Sequence, residues 1–315
     1  MRISCIIPHK GREELLTLTI QSVLAQEWDL SNIEIIVVTQ NRELTCPYVP
    51  QERLGAFRIL FRPEHETIST LRNTGVEHAS GDFLAFLDAD IQLAPDWIEV
   101  MLREIQRQPE RVLVSAAQKK SPDGGRLETI RVLLSNAELD CPVQFLPGRN
   151  LLLARSTFDK VGGFPEHLVT CEDYYFTDAV HQYGELYYSS KSWYIHLGED
   201  QEYGEMFRKE IWRAQSNVQS LQGRRIPLRE YPSLLVPFWQ TLFLLVMIFS
   251  ALGGSFRVAL ISALAAVLPA CLYAARLYIK GRDQITLFDA LKFYAVYFPA
   301  RILGTLGGLF RKIAG

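Results

Sequence analysis

Over the first ninety residues short apolar runs alternate with helical patterns. Ile3–Ile7 is a five-residue apolar run that Pro8 ends, the length of a buried strand. A helical pattern follows from about Glu13 to Gln26, and Ile33–Val38 is a second strand-like run. A weaker run at Phe57–Phe61 precedes a helix over Thr67–Ala79, and Phe83–Leu87 follows. Continuous apolar strands alternating with helices predict the α/β class, a mostly parallel sheet flanked by helices on both faces. Such sheets bind ligands beyond the carboxyl ends of their strands. Those ends are Pro8-His9-Lys10, Thr39-Gln40-Asn41 and Asp88-Ala89-Asp90, so three polar clusters converge on one edge.

The last third reads differently. Leu234–Leu252 is a 19-residue apolar run, Gly253-Gly254-Ser255 a turn, and Val258–Ala275 an 18-residue uncharged run. At a helical rise, 19 residues span about 28 Å, close to the thickness of bilayer hydrocarbon. Arg224, Arg225 and Arg229 precede the first run, Arg276, Lys280 and Arg282 follow the second, and the turn carries only Arg257. The positive-inside rule then predicts a helical hairpin, about 234–252 and 258–279, with both outer ends cytoplasmic. The remaining stretch, about 285–310, is apolar but interrupted by Asp289, Lys292 and Arg301. It is expected to be an amphipathic helix in the cytoplasmic interface, with a third span as the alternative. The chain is thus expected to divide into a body, 1–222, and a membrane region, 223–315.

Charge sharpens that division. The 315-residue chain has a net charge of −2, yet residues 233–315 alone carry eight Lys/Arg against two Asp/Glu. An acidic body joined to a basic, apolar tail points to anionic membrane lipids as partner and away from nucleic acid. With 48% hydrophobic and 22% charged residues, the chain is neither disordered nor collagen-like. Five scattered cysteines, Cys5, Cys46, Cys141, Cys171 and Cys271, form no C-x-x-C pair, which fits a reducing compartment. The opening run is too short for a signal-peptide core, so the body is expected in the cytoplasm at an inner membrane.

Asp88 and Asp90 follow a buried strand. Two carboxylates so placed can share a hard cation, Mn²⁺ or Mg²⁺, with the phosphates of a ligand. Read alone, a D-x-D is more often a solvated turn with a helix cap, here ahead of the helix start at Ala94-Pro95-Asp96, and it is the position at the end of a central strand that points to function.

Here the chain resembles glycosyltransferase family 2, whose members have a GT-A, Rossmann-like fold. The likeness runs over about residues 1–220. "ISCIIPHKGREELLTLTIQSVLAQ" resembles the nucleotide-binding first strand and helix, and "LRNTGVEHASGDFLAFLDAD" resembles the stretch leading into the D-x-D motif. "PGRNLLLARSTFDKVGGFPE" resembles the donor and acceptor wall, and "CEDYYFTDAV" the later acidic motif that supplies a base. The resemblance implies that Asp90 coordinates the metal, that Asp88 contacts ribose or metal, and that Asp173 is the general base. It also suggests His196 as a metal ligand and Arg72 as a nucleotide or phosphate contact. Each has a plainer reading: a helix N-terminal charge for Asp173, a packed or surface residue for His196. Pro8, His9, Arg12 and Thr39 lie on strand-end loops where they would meet the donor, and Arg12 is equally a solvated helix-start residue. Asn150 would line the sugar site or serve as a turn amide. Arg208, Lys209 and Arg213 would hold diphosphate or face anionic lipid, the second being favoured.

Two features depart from the family pattern. The second strand ends Val38-Thr39-Gln40-Asn41, without the carboxylate that reads the nucleobase, and Q-x-x-R-W of processive synthases is absent. The expected activity is therefore inverting, metal-dependent, single-sugar transfer from a nucleotide-sugar donor to a lipid-linked or glycan acceptor, a polyprenyl-diphosphate-linked one in surface polysaccharide or glycolipid synthesis. The alternatives are transfer to polyprenyl phosphate, which needs no base, and a catalytically silent nucleotide-binding scaffold. Nothing in the sequence fixes an oligomeric state.

Overall fold

The structure, a computed structural model, describes residues 1–45, 53–216, 218 and 231–314. The 222/223 boundary, Arg224, Arg225, Arg229 and Cys46 lie outside the described residues. Two compact units are present, Met1–Pro122 with Ser135–Glu199, and Asp123–Leu134 with Asp200–Gly315.

The first unit is built on a nine-stranded sheet. Its first half comprises β1 (Ile3–His9), β2 (Ile33–Thr39), β3 (Ala56–Phe61) and β4 (Phe83–Leu87), all paired in parallel. The helices α1 (Glu13–Leu24) and α2 (Ile68–Glu77) are the crossovers between them. Every residue of β1 and β2 is buried, because both faces of the sheet are covered. Ile3, Cys5 and Ile7 join one core with Leu87 and Trp97, whereas Ile6 joins the other with Phe86 and Phe176. At about 1.5–3 kcal/mol for each large apolar side chain buried, such a run is stable only as an inner strand.

The second half is mixed. It adds β5 (Ile91–Leu93), β6 (Arg111–Lys119), β7 (Cys141–Val143), β8 (Asn150–Ala154) and β9 (Glu185–His196), in the order β3-β2-β1-β4-β8-β6-β9-β5 with β7 on β9. Helices α3 (Trp97–Gln106), α5 (Arg155–Val161) and α6 (Glu172–His181) complete the unit. Three registers prepare a site. His9 pairs with Thr39 at the ends of β1 and β2. Asp88 N donates to Arg149 O (2.9 Å), extending the antiparallel β4–β8 ladder by one step. Ile91 pairs with His196, bringing the end of β9 beside the D-x-D segment.

The second unit is helical: α4 (Arg126–Ser135, its last residue in the first unit), α7 (Tyr203–Ala214), α8 (Tyr231–Leu252), α9 (Phe256–Gly281) and α10 (Leu287–Ala314). Gly254, at φ +77°, makes the turn between α8 and α9. Across that turn Trp239 Nε1 donates to Ala265 O (2.9 Å) and Gln240 Nε2 to Ala266 O (3.1 Å). Both helices are long and apolar enough to cross a membrane, and only 17% and 22% of their apolar windows are buried. That low burial distinguishes them from the core helices of a water-soluble domain. The amphipathic stretch at 285–310 is a helix starting two residues later than expected, where Thr286 and Asp289 cap it reciprocally. One of its faces packs into protein: Phe293, Tyr294 and Phe298 share a core with Met206, Ala274 and Leu277.

The basic residues of α7 do not form one outward cluster. Asp200 and Glu210 are buried, and Arg131 Nη2 reaches both at 2.8 Å. Lys209 Nζ lies 2.9 Å from Asp200, and Arg213 Nη1 lies 2.7 Å from Glu210. Buried carboxylates require cations close by, and these two claim the lysine and the arginine. Exposed Arg208 donates to Gly204 O (3.3 Å).

Candidate active site

The ends of β1, β2 and β4 hold the expected polar groups in a connected arrangement. Gly11, at φ +93°, turns the chain from β1 into α1, and Asn41 staples that turn, accepting from Gly11 N (2.7 Å) and donating to Gly11 O (2.9 Å). Pro8 is buried within β1 itself. The Thr39 hydroxyl lies 2.9 Å from His9 Nδ1 and accepts from Asn41 N (3.1 Å). Thr39 is therefore committed inside the protein. His9 Nε2 is buried with no hydrogen-bond partner among the described residues, and burial lowers the imidazole pKa, favouring the neutral ring.

The two aspartates of the D-x-D segment point to different partners. Asp90 Oδ1 lies 3.3 Å from His196 Nε2 and Asp90 Oδ2 lies 3.2 Å from Arg12 Nη2. Burial pushes Asp90 up, but the hydrogen bond to His196 and the charges of His196 and Arg12 hold its carboxyl below the usual range. Burial and the charge of Arg149 oppose protonation of His196, yet its hydrogen bonds to Asp90 and Glu199 raise its pKa. Asp88 Oδ1 accepts from Arg72 Nη2 (3.1 Å), and burial raises its pKa against the pull of that arginine.

Arg72 is not a solvent-facing phosphate clamp. It is 1% exposed. Its Nη1 donates to Glu172 Oε1 (2.8 Å), its Nη2 to Gly148 O (3.2 Å) as well as Asp88, and its guanidinium lies over Phe164. A planar fork meeting two carboxylates suits a fixed strut. It ties the strand-end acid Asp88 to the acid pair that opens α6.

Cys171, at φ +63°, turns the chain into that helix. Asp173 Oδ2 then accepts from Gly148 N (3.1 Å) and Oδ1 from Tyr174 N (2.8 Å). Burial, helped by the charge of Glu172, pushes its pKa up to about 6 despite those bonds. Phe145 and Tyr174 stack at 4.3 Å beside it.

The expected residues thus form three groups: His9 and Thr39 with Pro8 at the paired ends of β1 and β2, Arg12, Asp90 and His196 in direct contact, and Asp88 and Asp173 related through Arg72, Glu172 and Gly148. Asn150 belongs to none of them. It is fully buried, and its Oδ1 accepts from Trp97 Nε1 (3.0 Å) and Ala116 N (2.8 Å), so it straps the core instead of lining a sugar site. Sequence reasoning passed over Glu199, Gln118 and Arg149. The readable signal for the first was an acid three residues after His196 in "HLGED".

Among the described residues no three His, Cys, Asp or Glu side chains form a ready-made cage for a metal. The donor set nevertheless fits a hard divalent cation. A carboxylate and an imidazole nitrogen face each other, and the imidazole is backed on its other nitrogen by a carboxylate. Gly198 leaves Asp90 its space, since a Cβ there would stand 2.0 Å from Asp90 Oδ2. Mg²⁺ and Mn²⁺ complete such sparse sets with water and phosphate oxygens.

The family model for glycosyl transferase family 2 matches residues 4–165, and the chain belongs to that family. It is an enzyme that transfers sugar from a nucleotide-sugar donor, on a GT-A fold. The glycosyltransferase AglE of Haloferax volcanii is 24% identical over 235 residues, 72% of this chain and 76% of that protein. A glucosyl-dolichyl phosphate glucuronosyltransferase of the same organism is 28% identical over 118 residues, 36% of this chain and 37% of that protein. The mannosyltransferase PcManGT of Pyrobaculum calidifontis, solved with GDP-Man and Mn²⁺, superposes with a TM-score of 0.64, covering 99% of this chain and 88% of that one. At 16% identity that likeness is one of fold.

Proposed function

We propose that the protein is a membrane-anchored, inverting, non-processive glycosyltransferase that moves one sugar from a nucleotide-diphosphate donor to a hydroxyl of a lipid-linked glycan. The observation that carries this reading is the buried Arg72, whose guanidinium bridges Asp88 and Glu172 and so ties the strand-end acid to the acid pair, Glu172 and Asp173, that opens α6. Asp173 acts as general base. Its two oxygens each accept one backbone N–H, so the carboxylate is aimed, and a pKa near 6 matches it to a hydroxyl proton at neutral pH. As the acceptor proton passes to Asp173, the acceptor oxygen bonds to the anomeric carbon and the bond to the diphosphate breaks on the opposite face, inverting the centre.

Asp90 and His196 would hold Mn²⁺ or Mg²⁺, which offsets the negative charge gathering on the leaving diphosphate. PcManGT, with Mn²⁺ and GDP-Man, supports that assignment by analogy of fold. Arg12, beside Asp90 and half-exposed, adds a cation for the same phosphates. Arg72 acts on the donor side through Asp88. Where the family carboxylate is missing, His9 at the end of β1 would read the nucleobase edge, with Pro8 and Thr39 shaping its seat.

The hairpin α8–α9 supports an anchor in the inner membrane with the catalytic domain cytoplasmic, the body ending near residue 222 and the membrane region following. Sharing a surface with a polyprenyl-diphosphate-linked acceptor raises its effective concentration. The glucuronosyltransferase relative, whose name gives a lipid-linked sugar as its acceptor, supports that class. The test is sugar transfer by Asp173→Asn. A loss of at least 100-fold with nucleotide binding retained supports a hydroxyl acceptor, whereas near-wild-type transfer means an acceptor that is already an anion.

A further inference from the structure

Glu199 has no part in the reaction above, yet it is held with unusual care. Its side chain is fully buried. One oxygen, Oε2, lies 3.0 Å from His196 Nδ1, accepts from Gln118 Nε2 (3.1 Å), and stands 3.7 Å from Arg149 Nη2. Arg149 Nη1 in turn donates to Gln118 Oε1 (2.6 Å). Gln118 belongs to β6 and Arg149 immediately precedes β8, so residues at two strands of the sheet fix the carboxylate. Burying an ion pair of this kind costs several kcal/mol in desolvation before attraction is counted.

That geometry has one chemical consequence. A carboxylate on imidazole Nδ1 makes that nitrogen the donor, so that in the neutral ring it is Nε2 that would offer its lone pair to a cation. Here Nε2 faces Asp90. The intervening turn is fixed as well, because Leu197 N donates to Asp90 O (2.8 Å) and Gly198 passes against the Asp90 carboxylate. The orientation of His196 is therefore set from both sides, by Glu199 behind and by the β5–β9 pairing in front.

We infer that Glu199, locked by Gln118 and Arg149, is the positioning residue of the cation site, holding His196 so that Nε2 and Asp90 face one divalent cation. The inference rests on the assignment of Asp90 and His196 as cation ligands, and its test separates the two. The full-length protein in detergent is titrated with Mn²⁺ alone, and free Mn²⁺ is followed by electron paramagnetic resonance, with thermal melts run alongside. Asp90→Ala and His196→Ala should weaken Mn²⁺ binding strongly. Glu199→Ala should weaken it about 10- to 100-fold, Glu199→Gln, which keeps an acceptor for Nδ1–H, only a few-fold, and transfer by Glu199→Ala should recover at high Mn²⁺. A lower melting temperature for Glu199→Ala with unchanged Mn²⁺ affinity, while His196→Ala loses it, overturns the positioning role. Unchanged affinity in all three alanine variants overturns the ligand assignment and the inference with it. If Glu199→Ala does not fold, Gln118→Leu loosens the same lock. A several-fold loss of Mn²⁺ affinity supports the inference and none contradicts it.

Discussion

Asp173 and Arg72 make separable predictions at the scale of single residues. A base works only when ionised, so with a pKa near 6 kcat/KM should fall about tenfold per pH unit below 6 and level off above it. A pH–rate profile of the wild type checks this, and a flat profile from pH 5 to 8 would remove Asp173 from the proton transfer. Arg72→Met should strip the compensating charge from Asp88 and Glu172 together. A destabilisation of about 3–5 kcal/mol is expected, read as a lowered denaturation midpoint, with Arg72→Lys failing to restore it because a point charge cannot bridge two carboxylates. The acids themselves were legible in the sequence because each sits at a strand or helix end with a recognisable neighbour pattern. Their partners were not. Whether Arg72 faces solvent or Asp88 depends on how α2 packs on the sheet, 16 residues before that aspartate, and whether Asn150 faces a sugar or Trp97 depends on contacts between segments 53 residues apart.

Among the elements, α7 and α10 pack through backbone. Ala300, Gly304 and Gly308 recur every four residues along α10, and a Cβ on Gly304 or Gly308 would stand 2.3 Å from Ile211 O or 2.0 Å from Gln215 O. Small residues at this spacing let two helices approach closely. Gly304→Leu should therefore destabilise the helical unit by about 1–3 kcal/mol or more. Gly307→Ala, with nothing within 4 Å of its Cβ, should stabilise it by about 0.5–1 kcal/mol through helix propensity alone. Melting temperatures of the two variants in detergent decide the point, and equal shifts would contradict the packing. The parallel half of the sheet was readable as apolar runs because both its faces are covered. The mixed half was less so, since β5 and β7 are three residues each and carry too little period to register. The pattern of α10 announced one apolar face, but the same stripe suits lipid or protein, and only tertiary packing distinguishes them.

At the scale of the whole molecule, the chain joins an acidic catalytic body to a basic apolar tail. Long uncharged apolar runs bounded by a glycine turn are read directly as helices, which is why α8 and α9 could be placed from sequence within a few residues. Integral anchoring predicts that the protein stays in the membrane fraction through 1 M salt and alkaline carbonate washes and is released only by detergent. Release by salt would reduce the tail to an electrostatic surface contact. A cation-dependent nucleotide-sugar site at Asp90 is read out by calorimetry of UDP, GDP and dTDP binding to the full-length protein, with and without Mn²⁺, beside Asp90→Ala. One nucleotide should bind, Mn²⁺ should strengthen its binding at least tenfold, and Asp90→Ala should abolish the gain. Folded protein that binds none of the three, or binds one equally well without Mn²⁺ and with Asp90 removed, would contradict such a site.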